Sequence, residues 1–194
     1  MKFPLRLTFK KIAIAPQLSV TDAEGTLQLY VRQKLFKLKE SVTVFADREQ
    51  TRPLYSINAD RVLDFTARYT FTDQAGRVLG GVRRQGMRSL WRARYEVFRG
   101  EEVALHIQEE NPWVKVLDGI VGDIPVLGLL SGYLLHPSYV VSRPDGAPVL
   151  RLTKEPALFE GKFAIEKRAE LEPHEEGLAV LALLMMTLLE RDRG

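Results

Sequence analysis

The stretch Leu178 to Leu189 reads Leu-Ala-Val-Leu-Ala-Leu-Leu-Met-Met-Thr-Leu-Leu, and it restricts the possible folds more than any other part of the chain. Ala, Leu and Met are strong helix formers, and neither Gly nor Pro interrupts the run. Wound at about 3.6 residues per turn, Leu178, Leu181, Leu184, Met185 and Leu188 cover one side. Val180, Leu183, Met186 and Leu189 cover the rest, and Thr187 is the one polar interruption. A helix that is apolar all round has to be buried all round. A membrane crossing takes about 20 apolar residues, whereas this run, at a rise of about 1.5 Å per residue, reaches only about 18 Å. The interior of a protein shell is the remaining option. The preceding chain reads as strands, so the expected shell is a β-barrel with the helix along its axis. Glu175 and Glu176 precede the run, where acidic groups suit the positive end of a helix dipole, and Arg191 and Arg193 follow it, partly offset by Asp192.

Strand signals recur at short intervals. Phe3, Leu5, Leu7 and Phe9 alternate with more polar neighbours, the period-2 pattern of a half-buried strand. Ser19 to Gly25 reads as a loop, and Leu27, Leu29 and Val31 begin the next strand. Further strands are expected at Leu35 to Lys39, Val42 to Ala46 and Tyr55 to Ala59. Phe65, Ala67, Tyr69 and Phe71 alternate, Asp73-Gln74-Ala75-Gly76 supplies a tight turn, and Val78, Gly80 and Val82 return. From Ser89, residues Ser89, Trp91, Ala93, Tyr95 and Val97 share one face, and Leu90, Arg92, Arg94, Glu96 and Phe98 share the other. Val103 to Ile107 follow. Asn111 to Pro137 breaks the rhythm; it is long for a connection, so packing or function must order it. Strands resume at Ser138 to Ser142, Val149 to Thr153 and Phe163 to Glu170. The reading is mainly β, with about a dozen antiparallel strands in one domain over residues 1–194.

Composition narrows the function. The chain contains no cysteine, which removes disulfides, thiol nucleophiles, Cys-based zinc sites and S-palmitoylation. Arg6, Lys10 and Lys11 interrupt the first fifteen residues, so no secretory h-region forms. Gly119 to Leu135 is apolar but holds Asp123, Pro125 and four glycines, and it is not expected to span a membrane. Net charge is +3, yet it divides unevenly: residues 1–100 hold 19 basic and 9 acidic side chains (+10), and residues 101–194 hold 9 and 16 (−7). Either the two halves attract each other within one fold, or a basic surface awaits an anionic partner.

Several segments resemble the LURP-one-related family. They are Leu29-Tyr30-Val31-Arg32-Gln33-Lys34-Leu35-Phe36, Leu54-Tyr55-Ser56-Ile57-Asn58-Ala59-Asp60, Asp73 to Gly81, Gly86-Met87-Arg88-Ser89-Leu90-Trp91-Arg92 with Tyr95, Phe163-Ala164-Ile165-Glu166, and the apolar tail. Their order carries the resemblance, which runs from about residue 27 onward. That family is similar in fold to the carboxy-terminal domain of tubby proteins and to phospholipid scramblases. The resemblance implies a twelve-stranded barrel around a carboxy-terminal hydrophobic helix. Tubby domains bind phosphoinositide head groups, and scramblases are linked to lipid movement and calcium. Here, however, the Asp-x-Asx-x-Asx-Gly calcium pattern is absent and no cysteine can take a lipid.

Other motifs lead nowhere specific. Gly81-Val82-Arg83-Arg84-Gln85-Gly86 has the glycine spacing of a P-loop but continues with Met87-Arg88 instead of Lys-Ser/Thr, and suits glycines at a barrel bend. His106, His136 and His174 lack metal-ligand spacing. Ser131 in Gly-Leu-Leu-Ser-Gly misses the nucleophile elbow by one residue. Between Arg77 and Arg99, by contrast, stand seven arginines and one acid, Glu96. Guanidinium forks match phosphate oxygens, and alternation turns Arg92 and Arg94 outward, away from the face of Trp91 and Tyr95. Arg83, Arg84, Arg88, Arg92 and Arg94 are therefore the candidate anion-binding residues, with a solvated, salt-bridged exterior as the plain alternative.

The expected function is a non-catalytic binding module that engages phosphoinositide or another anionic phospholipid at a membrane surface, in the cytoplasm, without cofactor, metal, catalytic residues or nucleic acid. The alternatives are a small-molecule carrier or enzyme using a residual barrel cavity, and a scaffold for a protein partner.

Overall fold

A computed structural model describes residues 1–10, 17–32, 41–60, 67–85, 94–110, 138–157 and 160–191. Period-2 hydrophobicity becomes twelve strands: β1 (Leu5–Lys10), β2 (Gln17–Thr21), β3 (Leu27–Arg32), β4 (Ser41–Phe45), β5 (Pro53–Ala59), β6 (Arg68–Asp73), β7 (Val78–Arg84), β8 (Arg94–Arg99), β9 (Glu102–Glu109), β10 (Ser138–Ser142), β11 (Pro148–Glu155) and β12 (Glu160–Lys167). One helix, α1 (Pro173–Arg191), follows them. Each strand pairs antiparallel with its sequence neighbours, and β1 pairs with β12 to close the barrel. Closure removes the unpaired edges that an open sheet would expose.

Alternation sends Leu5 and Leu7 of β1, Val97 of β8, Ile107 of β9 and Ile165 of β12 inward, each at most 1% exposed. They meet the helix. From Leu178 to Leu188 no helical residue exceeds 7% exposure. Thr187 is accommodated because its hydroxyl donates to the Leu183 carbonyl at 2.8 Å, one turn back along the helix. Among the described residues no helix is long and apolar enough to cross a membrane.

The barrel has two chemically different ends. At the end where the helix begins, short turns are tied by aspartates. Asp22 accepts from the Thr26 amide at 2.8 Å, Asp47 from the Thr51 amide at 2.8 Å and the Thr51 hydroxyl at 2.7 Å, Asp73 from the Arg77 amide at 2.9 Å, and Asp145 from the Ala147 amide at 2.9 Å. Such Asx turns are what Asp before a tight loop does best. The helix start is pinned to this end by ion pairs. Glu176 takes the Met1 amine at 2.8 Å, Glu175 takes Arg143 at 3.1 Å, and Arg99 donates to the His174 ring nitrogen at 2.8 Å. From this end the helix runs towards the opposite, far end of the barrel.

Two readings need correction. Ser19–Thr21 belongs to β2, not to a loop, because Leu18 and Val20 supply the inward alternation across Ser19. The Leu35–Lys39 strand and the whole of 111–137 lie outside the described residues. The oppositely charged halves of the chain occupy separate stretches of the wall: β1 to β8 are consecutive around the barrel and β9 to β12 complete it.

Candidate functional site

Of the five candidate arginines, Arg83, Arg84 and Arg94 lie among the described residues, and these three do not share one face. Arg88 and Arg92 lie outside the described residues. Arg83 and Arg84 are adjacent on β7, so the pleat sends them to opposite faces.

Arg83 goes outward. In register it faces Arg68 of β6 on one side and Glu96 of β8 on the other. Like charges directly across a strand pair are destabilising, and the outer face compensates for them. Arg83 pairs with Glu96 at 2.8 Å, and Arg68 pairs with Glu101 at 3.3 Å. The Phe98 ring lies beneath both guanidiniums, 4.8 Å from Arg68 and 5.0 Å from Arg83. Phe98 sits opposite Gly81, where a Cβ would come within 2.5 Å of the Tyr69 carbonyl oxygen on β6. Partial burial opposes ionisation of Glu96, but hydrogen bonds from Arg83 and Gln85 hold its carboxyl below the usual range. Arg94 on β8 is exposed, as alternation requires, and makes no ion pair among the described residues. The outer strip is thus Arg68, Arg83 and Arg94. Arg68 was invisible in the sequence as a member, because only strand register brings it beside Arg83.

Arg84 goes inward, into a polar layer near the far end of the otherwise apolar interior. It faces Tyr95 of β8 in register. The Tyr95 hydroxyl donates to Glu190 at the last turn of α1. Arg84 Nε stands 3.7 Å from the same carboxylate and is buried without an acceptor. Glu109 of β9 and Tyr139 of β10 are register partners. Tyr139, like Val141 two residues on, is buried and faces inward. Burial, reinforced by the Glu190 charge and hydrogen bond, pushes the Tyr95 phenol far above its ordinary range. Tyr139 is raised by burial and by Glu109 and Glu190.

A pH dependence follows. Both phenols stay protonated in the fold while an unfolded chain releases them near pH 10, so above that pH the native state holds more protons than the unfolded one. Stability contributed by these groups is complete below about pH 10 and declines as pH rises further, by about 1.4 kcal/mol per pH unit for each tyrosine. Chemical denaturation between pH 9 and 11 is expected to show this slope, flattened in Tyr95→Phe/Tyr139→Phe. An identical slope in both proteins would show that these phenols are not held protonated.

A closed, twelve-stranded antiparallel barrel threaded by an apolar helix defines the class of protein. The LURP-one-related description matches residues 27–162 of this sequence. The chain belongs to the LURP-one-related family. Its structure is similar to the X-ray structure of a protein from Arabidopsis thaliana, with a TM-score of 0.52 and 15% identity over 100% of this chain and 94% of that one. That likeness concerns the fold alone. No curated protein matches the chain.

Proposed function

We propose that the barrel is a non-catalytic, tubby-like binding module that docks on anionic phospholipid head groups at a membrane surface through its outer arginine strip. Arg94 carries the reading: an exposed guanidinium without an ion-pair partner among the described residues, next to the strand bearing Arg83, on the basic side of the wall. Arginine is suited to phosphate oxygens by its planar fork, and a one-sided charge distribution orients a protein towards an anionic surface. Arg84 has no place in this surface, because it faces the interior.

The test is sedimentation with vesicles of phosphatidylcholine, with and without phosphatidylserine or a phosphoinositide, at low and moderate salt. Wild type is expected to pellet only with the anionic vesicles, and less so as salt rises. Arg83→Glu/Arg94→Glu is expected to lose at least ten-fold in the bound fraction while melting normally. Equal pelleting of both proteins with all vesicles defeats the proposal.

A further inference from the structure

Strand register extends the outer arginine strip by one more titratable group. Arg68 of β6 faces Arg83 of β7, Arg83 faces Glu96 of β8, and Glu96 faces His106 of β9. His106 points outward, because Leu105 and Ile107 on either side of it are fully buried in the core. Residues directly opposite each other across an antiparallel pair have Cβ atoms about 4.5–5.5 Å apart, so an imidazole and a carboxylate placed there can reach each other. The Glu96 carboxylate thus stands between a guanidinium and an imidazole. Its oxygens are held from the Arg83 side, Oε2 by Arg83 at 2.8 Å and Oε1 by Gln85 at 2.7 Å. His106 makes no hydrogen bond or ion pair among the described residues.

Few groups face this imidazole. β8 presents Arg94, Glu96 and Phe98 on its outer side, β10 presents Val140 and Ser142, and β9 itself adds Ala104 and Gln108. Glu96 is the one acid among them and Arg94 the one cation. Partial burial opposes ionisation of Glu96, but the hydrogen bonds from Arg83 and Gln85, helped by the His106 charge, hold its carboxyl below the usual range. Glu96 therefore remains a carboxylate across the interval of about pH 5 to 8 in which an imidazole changes its charge.

Charge decides the consequence. Arg68, Arg83 and Arg94 against Glu96 and Glu101 leave the strip one net positive charge while His106 is neutral, and two once it is protonated. The imidazolium also competes with Arg83 for Glu96, which releases guanidinium donors for phosphate oxygens.

We propose that His106 makes the outer arginine strip an acid-sensitive docking surface, which holds anionic phospholipid more tightly when the imidazole is protonated. This regulation rests on the docking role proposed above. As pH falls the strip gains positive charge and binding tightens, and as pH rises the gain is lost. One further basic group beside an anionic membrane strengthens binding about five-fold.

The test is sedimentation of the full chain at about pH 5.5 and about pH 7.5, on either side of imidazole titration. The vesicles are phosphatidylcholine with phosphatidylglycerol, whose phosphodiester carries the same charge at both values. Wild type is expected to bind about five-fold more tightly at the lower pH. His106→Gln is expected to bind at both values as wild type does at the higher one, and His106→Arg at both as wild type does at the lower one. His174→Gln, at the helix start beside Arg99, is expected to keep the full wild-type difference. Thermal melts at both pH values check that each variant is folded. Equal binding of wild type at the two values, or an undiminished difference in His106→Gln, overturns the acid sensitivity and leaves the docking role standing. Absence of wild-type binding at both values removes the docking role and this regulation together.

Discussion

Leu184→Asp is expected to leave no cooperative melting transition. Leu184 is 0% exposed, in the middle of a helix that the barrel surrounds. The substitution forfeits about 1.5–3 kcal/mol of apolar burial and adds a carboxylate whose burial without a partner costs several kcal/mol more. The residues one turn away along the helix, Leu181 and Leu188, are also buried and apolar, so they offer the charge no partner. A domain's net stability is about 5–15 kcal/mol, and a loss of this size at its axis removes most or all of it. The measurement is a thermal melt by circular dichroism, with Leu184→Met as a volume-conserving control expected to lose less than about 1.5 kcal/mol. A normal, cooperative melt of the aspartate variant contradicts this reasoning.

The second large effect is expected at Gly80. Its φ is 150°, a conformation that side chains rarely adopt. A methyl there would stand 2.2 Å from the Phe98 carbonyl oxygen and 2.7 Å from Leu178 Cδ1. The helix lies against β7 at this point, and the glycine is what lets it approach. Gly80→Ala must push a backbone carbonyl or the helix aside, at about 3 kcal/mol, which is about 6–12 °C in Tm for a chain of this size. Gly161→Ala is the matched control, since its methyl would meet Phe163 and Phe9 at an ordinary 3.5 Å. It is expected to change stability by less than about 1 kcal/mol. Equal melting of the two variants would mean that the helix does not press on β7.

The architecture was legible because two periodicities carried it. An apolar run without a polar stripe admits few environments, and inward alternation such as Tyr95 and Val97 survives any local irregularity. Where the pattern was short, it failed: β2 offers only Leu18 and Val20 between polar neighbours, so composition outweighed alternation. The site was half legible. The density of arginines between Arg77 and Arg99 is a sequence property, and so is the outward direction of Arg94. The separation of Arg83 from Arg84 also follows from period 2, but it requires knowing that both lie on one regular strand. Nothing local links Arg68 to Arg83, or Tyr95 to Glu190, because those contacts are made by register and by the return of the helix through the barrel. Charge segregation was visible as a count. Its meaning came only from the strand order, in which β1 to β8 form one continuous side.

The fold depends on the helix being enclosed, and native-state hydrogen exchange measures enclosure directly. The amides from Leu181 to Leu188 are expected to exchange only through global unfolding, with the same opening free energy as the barrel amides of Val141 and Ile165. Exchange of those helical amides at a much lower free energy than the strands, as in a helix lying on a surface, would contradict the enclosed-helix fold.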